Sequence, residues 1–217
     1  MIETKVGRRS TVPEQVPLFP LAGALLLPGG QLPLNIFEPR YLRMVDDALG
    51  SWRVIGMIQP RDNDETVPLL YGIGCVGRIT SFNETDDGRY LVNLSGLKRF
   101  RLLGEVESDT PYRQAKIDVD AFKADAGTDP SAELVDRNRL EEAMRSYLDA
   151  EGLKTDWDAV SEAPTDALVS SLAMGCPFAP NEKQALLEAS DAAERAECLI
   201  ALMEMAEATD GGEPRLQ

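Results

Sequence analysis

Residues Val16 to Leu42 read VPLFPLAGALLLPGGQLPLNIFEPRYL, and this stretch decides the fold. Pro17, Pro20, Pro28 and Pro33 lack the backbone donor that a central strand needs, so the segment must follow the margin of a β structure and turn at Pro28-Gly29-Gly30. It carries more large apolar side chains than one strand face can hide. Most are expected in a core, with Leu34 and Phe37 entering it, while the surplus at Leu25, Leu26 and Leu27 is expected to leave an exposed, adhesive surface.

Around this stretch the pattern is that of short strands. Val16 to Phe19, Leu25 to Leu27, Leu32 to Phe37, Arg53 to Gln59, Gly72 to Phe82, Arg89 to Ser95, Lys98 to Val106 and Arg113 to Val119 are rich in β-branched and aromatic residues and punctuated by Gly and Pro. Asp87-Gly88 predicts a hairpin joining Cys75 to Phe82 with Arg89 to Ser95. One helix interrupts the series: Pro39 suits a first helical position, and Leu42, Val45, Leu49 and Trp52 recur at helical spacing. That helix is expected to cap or plug a small barrel.

Beyond residue 120 the period changes. Asp129-Pro130 reads as a helix start, with Leu140, Met144, Tyr147 and Leu148 forming a stripe that ends at Gly152. Pro164 to Met174 and Asn181 to Leu187 read as helices. Asp191 with Glu194 resembles a capping box opening a last helix striped by Leu199, Leu202, Met203 and Ala206. The expected organisation is a β-barrel over residues 1–120, a linker over 121–130, an acidic helical subdomain over 131–209 and a disordered tail over 210–217. The fold class is α+β.

The charge divides at the same place. The 217 residues hold 22 Lys and Arg against 37 Asp and Glu, a net −15. Met1 to Asp118 has 14 basic and 15 acidic residues, whereas Val119 to Gln217 has 8 and 22. Such a surplus of carboxylates repels nucleic acid and anionic membranes, more strongly for the helices than for the nearly neutral barrel. No apolar run is long enough to span a bilayer, and the amino terminus has no apolar signal core.

Reactive groups are scarce. There is no histidine, which removes His-based triads, His-ligated metals and an imidazole base near neutral pH. Cys75, Cys176 and Cys198 form no CxxC pair, so a reducing cytoplasm without structural disulfides or zinc is expected. No phosphate loop is present, and Gly29-Gly30 and Gly72-Ile73-Gly74 are not placed to cradle phosphate. Cys176 at a helix end in an acidic setting is a poor nucleophile. Lys98 near Ser95 is better read as a solvated strand residue than as a catalytic dyad, and the acidic pairs Asp46-Asp47, Asp86-Asp87 and Glu141-Glu142 as solvated faces. In Lys98-Arg99-Phe100-Arg101, strand alternation sets Arg99 and Arg101 on one face and Lys98 with Phe100 on the other, which weakens an RNA-contact reading. No catalytic, cofactor or metal residue is assigned.

The ordered series PLFPL, LLLPGG, LPLNIFEPRYLRMV, GCVGRI, the Asp-Gly hairpin, LSGLKRFR and PYRQA resembles the amino-terminal substrate-binding domain of Lon protease in a stand-alone form. DALVSSLAMGCPFAPNEKQALLEASDAAERAECLIALM is similar to the helical part that follows in that family, so the resemblance covers about Val16 to Ala208. It implies a PUA-like, mostly antiparallel barrel with one inserted helix, followed by a small helical bundle. It further implies a non-catalytic role in binding unfolded polypeptide or a partner protein, Lon or another protease among the partners, without the AAA+ ATPase and Ser-Lys protease of full-length Lon. An RNA-binding PUA-like protein is the alternative, and homo-oligomerisation is left open. The recurrent family positions are Pro20, Leu21, Pro28, Gly29, Pro33, Leu34, Phe37, Glu38, Arg40 and Tyr41, then Gly77, Arg78, Gly96, Arg99 and Phe100. Most read as architectural, with Glu38 expected to pair with Arg78 or Arg99. Leu25, Leu26, Leu27, Phe37 and Tyr41 are the candidate polypeptide contacts.

Overall fold

The computed structural model describes residues 12–61, 68–125, 127 and 129–210. The first residues of the chain, where no leader is expected, and residues 211–217 of the expected disordered tail lie outside that set, while Asp210, assigned to the tail from sequence, ends the last helix. The strands are β1 (Gln15–Pro20), β2 (Gln31–Ile36), β3 (Val54–Ile58), β4 (Ile73–Glu84), β5 (Tyr90–Val106) and β6 (Gln114–Asp118), with helix α1 (Pro39–Leu49) between β2 and β3. Two short 3-10 segments, Asp120–Asp125 and Pro130–Leu134, lead into α2 (Arg137–Ala150), α3 (Trp157–Glu162), α4 (Thr165–Gly175), α5 (Pro180–Glu188) and α6 (Ala192–Asp210).

The sheet closes on itself. Strands run in the order β2-β5-β4-β3-β1-β6, and β6 pairs back onto β5, so β1, β3, β4, β5 and β6 form a ring with β2 attached to its outside. All pairings are antiparallel except β1 with β3. β5 serves three partners because it is long: its first half pairs β2, its second half pairs β6, and β4 runs along both.

Sequence alternation explains why the ring is packed on two sides. Val16, Leu18, Val54, Val76, Phe100, Ala115 and Ile117 fill its interior. Their neighbours Phe19, Ile55, Cys75 and Leu94 belong to a second core, which also takes in Leu25 to Leu27, Met44 and Val45 of α1, and Leu140, Val169, Leu186 and Leu199 of the helices. Barrel and helices are therefore joined by one apolar cluster, and β3 is buried at every position.

Several expectations change. Leu25 to Leu27 form no strand and expose no adhesive surface: Leu26 is 1% exposed and its two neighbours are equally buried. Flanking prolines keep the segment out of the ladder, and the helices cover its apolar side chains from outside, each burial contributing about 2 kcal/mol. Arg89 to Ser95 and Lys98 to Val106 are one strand, not two. The register passes from Gly77↔Gly96 to Val76↔Lys98, leaving Leu97 as a bulge. That bulge also breaks the assumed alternation, because Arg99 and Phe100 are both buried. On α1 the buried face is Tyr41, Met44, Val45 and Ala48, one position round from the predicted stripe, and Trp52 lies exposed beyond the helix.

In the second half, Asp129-Pro130 opens a 3-10 turn, with the Asp129 carboxylate accepting from the Ser131 amide; α2 starts later, capped by Asp136. Helix α3, capped by Asp156, is too short and too polar to announce itself. At α6 the Asp191 carboxylate accepts from the Glu194 amide at 2.9 Å, while Glu194 reaches the Ser190 amide at 2.6 Å, one residue further back than a capping box requires. No helix among the described residues is long and apolar enough to cross a membrane.

Candidate functional site

The Pro28-Gly29-Gly30 turn is fixed by backbone contacts. The Gly29 amide donates to the Gly96 carbonyl at 3.0 Å, and the Gly96 amide donates to the Gly30 carbonyl at 2.9 Å. A Cβ on Gly96 would lie 2.0 Å from the Leu27 carbonyl oxygen, so only glycine admits this approach. On the other side, Met174 at the end of α4 sits against Gly30, where a Cβ would meet its sulfur at 2.4 Å.

Beside this turn is an open cleft of about 650 Å³ between barrel and helices. Leu27 to Pro33 form one wall; Asp166, Ser170, Ser171 and Met174 of α4 form the facing wall. The small serines leave the space, and Met174 supplies a deformable apolar lining. Arg99, Asp125 and Arg195 line the same cleft.

Arg99 is 3% exposed and does not contribute to a basic surface patch. Its Nη2 and Nε donate to Asp125 at 2.8 and 3.1 Å, its Nη1 to the carbonyls of Leu187 at 3.0 Å and of Ala189, and its Nη2 to Ser190 at 3.2 Å. Phe122 stacks under the guanidinium at 4.7 Å. Arg195 is likewise buried, donating to the carbonyls of Leu186 and Ala189. The expected Glu38 pairing with Arg78 or Arg99 is not the arrangement found: Glu38 accepts from Arg40 Nε at 2.9 Å at the exposed start of α1, and Arg99 is committed to Asp125. With Phe100 inside the barrel, the Lys98 to Arg101 run offers neither a stacking ring nor a guanidinium at Arg99 to RNA.

The predicted contact residues do not share one surface. Leu25 to Leu27 line the shared core, and only Leu27 reaches the cleft. Tyr41 is 6% exposed and packs on Phe19 with ring centroids 4.4 Å apart, under the Arg40 guanidinium at 4.6 Å. Phe37, expected in the core, is instead 63% exposed, because Ile36 takes the inward position that ends β2. Arg40 and Tyr41 border a second hollow of about 440 Å³ with Pro20, Tyr112 and Arg113. There Tyr112 donates to Asp47 at 2.9 Å; burial, reinforced by that carboxylate, pushes the phenol up to about 12. Pro33, Pro28 and Gly29 form the rim of the cleft, and Pro20 ends β1. Arg78 lies opposite Val54 and Ser95, and Gly77 opposite Ile55 and Gly96.

The reactive groups are muted. Burial pushes the Cys176 thiol up to about 11 and raises Cys75 further, both against thiolate formation. Lys183 is buried, donates to the Met174 carbonyl at 3.2 Å and has its pKa lowered by desolvation. Ser95 Oγ accepts from Gln31 Nε2 at 3.1 Å. Among the described residues no group of His, Cys, Asp and Glu is arranged for a metal ion.

Sequence reasoning missed the polar ties between the two halves. Gln59 accepts from the Gly23 amide at 3.0 Å and donates to the Pro180 carbonyl at 3.0 Å and to Gln184 at 3.2 Å, while Gln184 donates to the Ile73 carbonyl at 3.2 Å. A glutamine closing the apolar strand Val54 to Ile58 was the available signal for Gln59; nothing local marked Asp125, Ser170 or Ser171.

Comparison with known proteins agrees with this geometry. The family model of the ATP-dependent protease La (LON) substrate-binding domain matches residues 15–205, spanning both halves. The Lon protease of Dictyoglomus thermophilum is 27% identical over 90% of this chain, and Lon protease 2 of Sorangium cellulosum is 30% identical over 88%. The chain spans about a quarter of the length of these relatives. The crystal structure of a Lon N-terminal domain protein from Xanthomonas campestris superposes with a TM-score of 0.60 at 25% identity, covering 86% of this chain and 97% of that one. The N-terminal domain of the Mycobacterium avium complex Lon protease shares the fold with a TM-score of 0.66 at 16% identity, over 88% of this chain and 98% of that one. A closed barrel with an outer β2, a helical cover tied to it through Arg99 and Gln59, and a family match across both establish that this chain belongs to the Lon substrate-binding domain family.

Proposed function

We propose that this protein binds unfolded polypeptide, or an unfolded segment of a partner protein, without cleaving it. The observation that carries the reading is the family match over residues 15–205, which includes barrel and helices alike. The cleft of about 650 Å³ between the Pro28–Pro33 turn and α4 supplies a place for such a chain: it is open, shallowly apolar at Leu27 and Met174, and rimmed by backbone. The described residues that line it include no cysteine and no lysine, and Cys176 and Cys198, which lie outside that lining, have their thiol pKa raised by burial. The binding unit is residues 12–206 as a whole, because the core that joins the barrel to the helices is continuous. Action beside a protease in the cytoplasm is part of the same proposal.

The test is anisotropy of a labelled, permanently unfolded carboxymethylated lactalbumin titrated with the protein, against folded lactalbumin as control. Saturable binding of the unfolded form alone is expected. Equal, negligible signals for both forms would remove the reading.

A further inference from the structure

Among the described residues, strand β2 has one partnered edge and one open edge. It ends the sheet order, whereas the other five strands close into a ring, and among the described strands only β5 pairs with it. The register fixes which backbone groups face outward. Gly96 donates to Gly30, and the pairs Gln31↔Ser95 through Ile36↔Tyr90 continue in step. Hydrogen-bonded and non-hydrogen-bonded pairs alternate in an antiparallel ladder. Leu32, Leu34 and Ile36 therefore direct their amides and carbonyls to β5, and Gln31, Pro33 and Asn35 direct theirs away. Pro33, with no amide to lose, sits on the outward set as a strand proline must. The open edge thus presents three carbonyl acceptors and two amide donors over a strand of about 20 Å.

Two observations say what fits there. Gln31, Leu32 and Pro33 also line the cleft, so a strand laid on the open edge has the α4 wall within side-chain reach. That wall carries Asp166, the cleft also borders Asp129, and Val119 to Gln217 holds 22 acidic against 8 basic residues. Arg99 and Arg195, the arginines of the cleft, are spent on carbonyls and Asp125. A second copy of this chain suits the edge poorly. Antiparallel pairing of two β2 strands about Pro33 loses a donor from each copy, and both copies carry a net −15.

We propose that β2 is a docking strand, to which an extended, lysine- or arginine-bearing polypeptide segment adds through the outward backbone groups of Gln31, Pro33 and Asn35, with alternate side chains entering the cleft against α4. This rests on the polypeptide-binding reading and specifies its geometry and charge preference.

The test uses the full chain and a labelled seven-residue peptide alternating lysine and valine, blocked at both ends. Three comparisons accompany it: the same peptide with every amide N-methylated, a glutamate-valine counterpart, and the Asn35→Pro variant. Asn35→Pro removes an outward amide and leaves pairing to β5 intact, so near-UV dichroism should be unchanged. Binding of the lysine peptide is expected to weaken by about tenfold in Asn35→Pro and to be lost on N-methylation or with glutamate. In the NMR spectrum the Gln31 and Asn35 amides should shift. If Asn35→Pro does not fold, the N-methylated peptide against the native protein decides the matter alone. Equal binding of methylated and unmethylated peptides overturns strand addition while leaving polypeptide binding in place. Equal binding of the glutamate peptide overturns the charge preference. A concentration-dependent dimer in sedimentation that Asn35→Pro dissociates assigns the edge to a second copy and overturns the proposal. Failure of both the lysine peptide and unfolded lactalbumin to bind removes this proposal and the polypeptide reading together.

Discussion

Arg99 and Asp125 form a bidentate ion pair in which the side chains are 3% and 6% exposed, and it is the point where barrel, connector and helices meet. The Arg99 amide also donates to Asp125 at 2.8 Å, so one carboxylate holds both the backbone and the side chain of a β5 residue. The remaining guanidinium protons cap the carbonyls at the end of α5. The connector is thereby anchored, and the relative placement of the two cleft walls depends on this pair.

Removing one partner leaves the other charged and buried. Asp125→Ala is expected to destabilise by about 3–5 kcal/mol, as broken buried pairs do, and Arg99→Met by a similar amount because it also removes the guanidinium donors to the Leu187 and Ser190 carbonyls and leaves Ala189 with Arg195 alone. The double variant Arg99→Met/Asp125→Ala should recover part of the loss. Urea denaturation of the four proteins measures this, and purely additive losses would show that the pair is not the anchor.

Leu26 and Phe37 are both candidate contacts from sequence, yet their burial predicts opposite outcomes. Leu26→Asp places a carboxylate among Gly77, Leu94 and Gly96, and should unfold the protein or cost more than about 4 kcal/mol. Phe37→Ser alters a largely exposed ring and should shift the melting temperature little. Comparable melting curves for the two would contradict the burial described here.

Alkaline stability should follow the tyrosines. Burial and then Asp47 push Tyr112 up to about 12, and burial followed by neighbouring acidic groups does the same for Tyr147. The unfolded phenol ionises near pH 10. A folded pKa raised above the unfolded one contributes stability that is complete below pH 10 and is lost as pH rises toward 12. The urea midpoint should fall over that window, and Tyr112→Phe should flatten the fall. A slope unchanged in Tyr112→Phe would assign the alkaline loss elsewhere.

What was legible in the sequence was local. Period-2 runs located six strands, Asp87-Gly88 located the hairpin, and Pro39 located the first turn of α1. Gly96 falls between two expected strands and reads as architectural from the family resemblance alone; its physical reason is a carbonyl 2.0 Å from where a Cβ would stand, contributed by Leu27 far away in sequence. Likewise Leu25 to Leu27 looked like surplus surface because the helices that cover them lie more than a hundred residues later. The partners of Arg99 and Gln59 were invisible for the same reason: their spacing along the chain carries no periodic signature, and only the folded topology brings them together.

The cleft itself offers a last, separable test. Ser170 and Ser171 of α4 face Leu27 to Pro33 across open space, and neither side chain is needed to satisfy the core that Leu168, Val169 and Leu172 build on the other face of the helix. Replacing Ser171, the more exposed of the two, by Trp adds a ring that fills the gap rather than crowding the interior. Ser171→Trp should therefore leave the unfolding free energy from urea denaturation within about 0.5 kcal/mol of the parent and abolish the anisotropy change with unfolded lactalbumin. Ser161→Trp, on the exposed surface of α3 outside the cleft, should bind as the parent does. Retained binding in Ser171→Trp, with stability intact, would place the polypeptide site away from the cleft between barrel and helices.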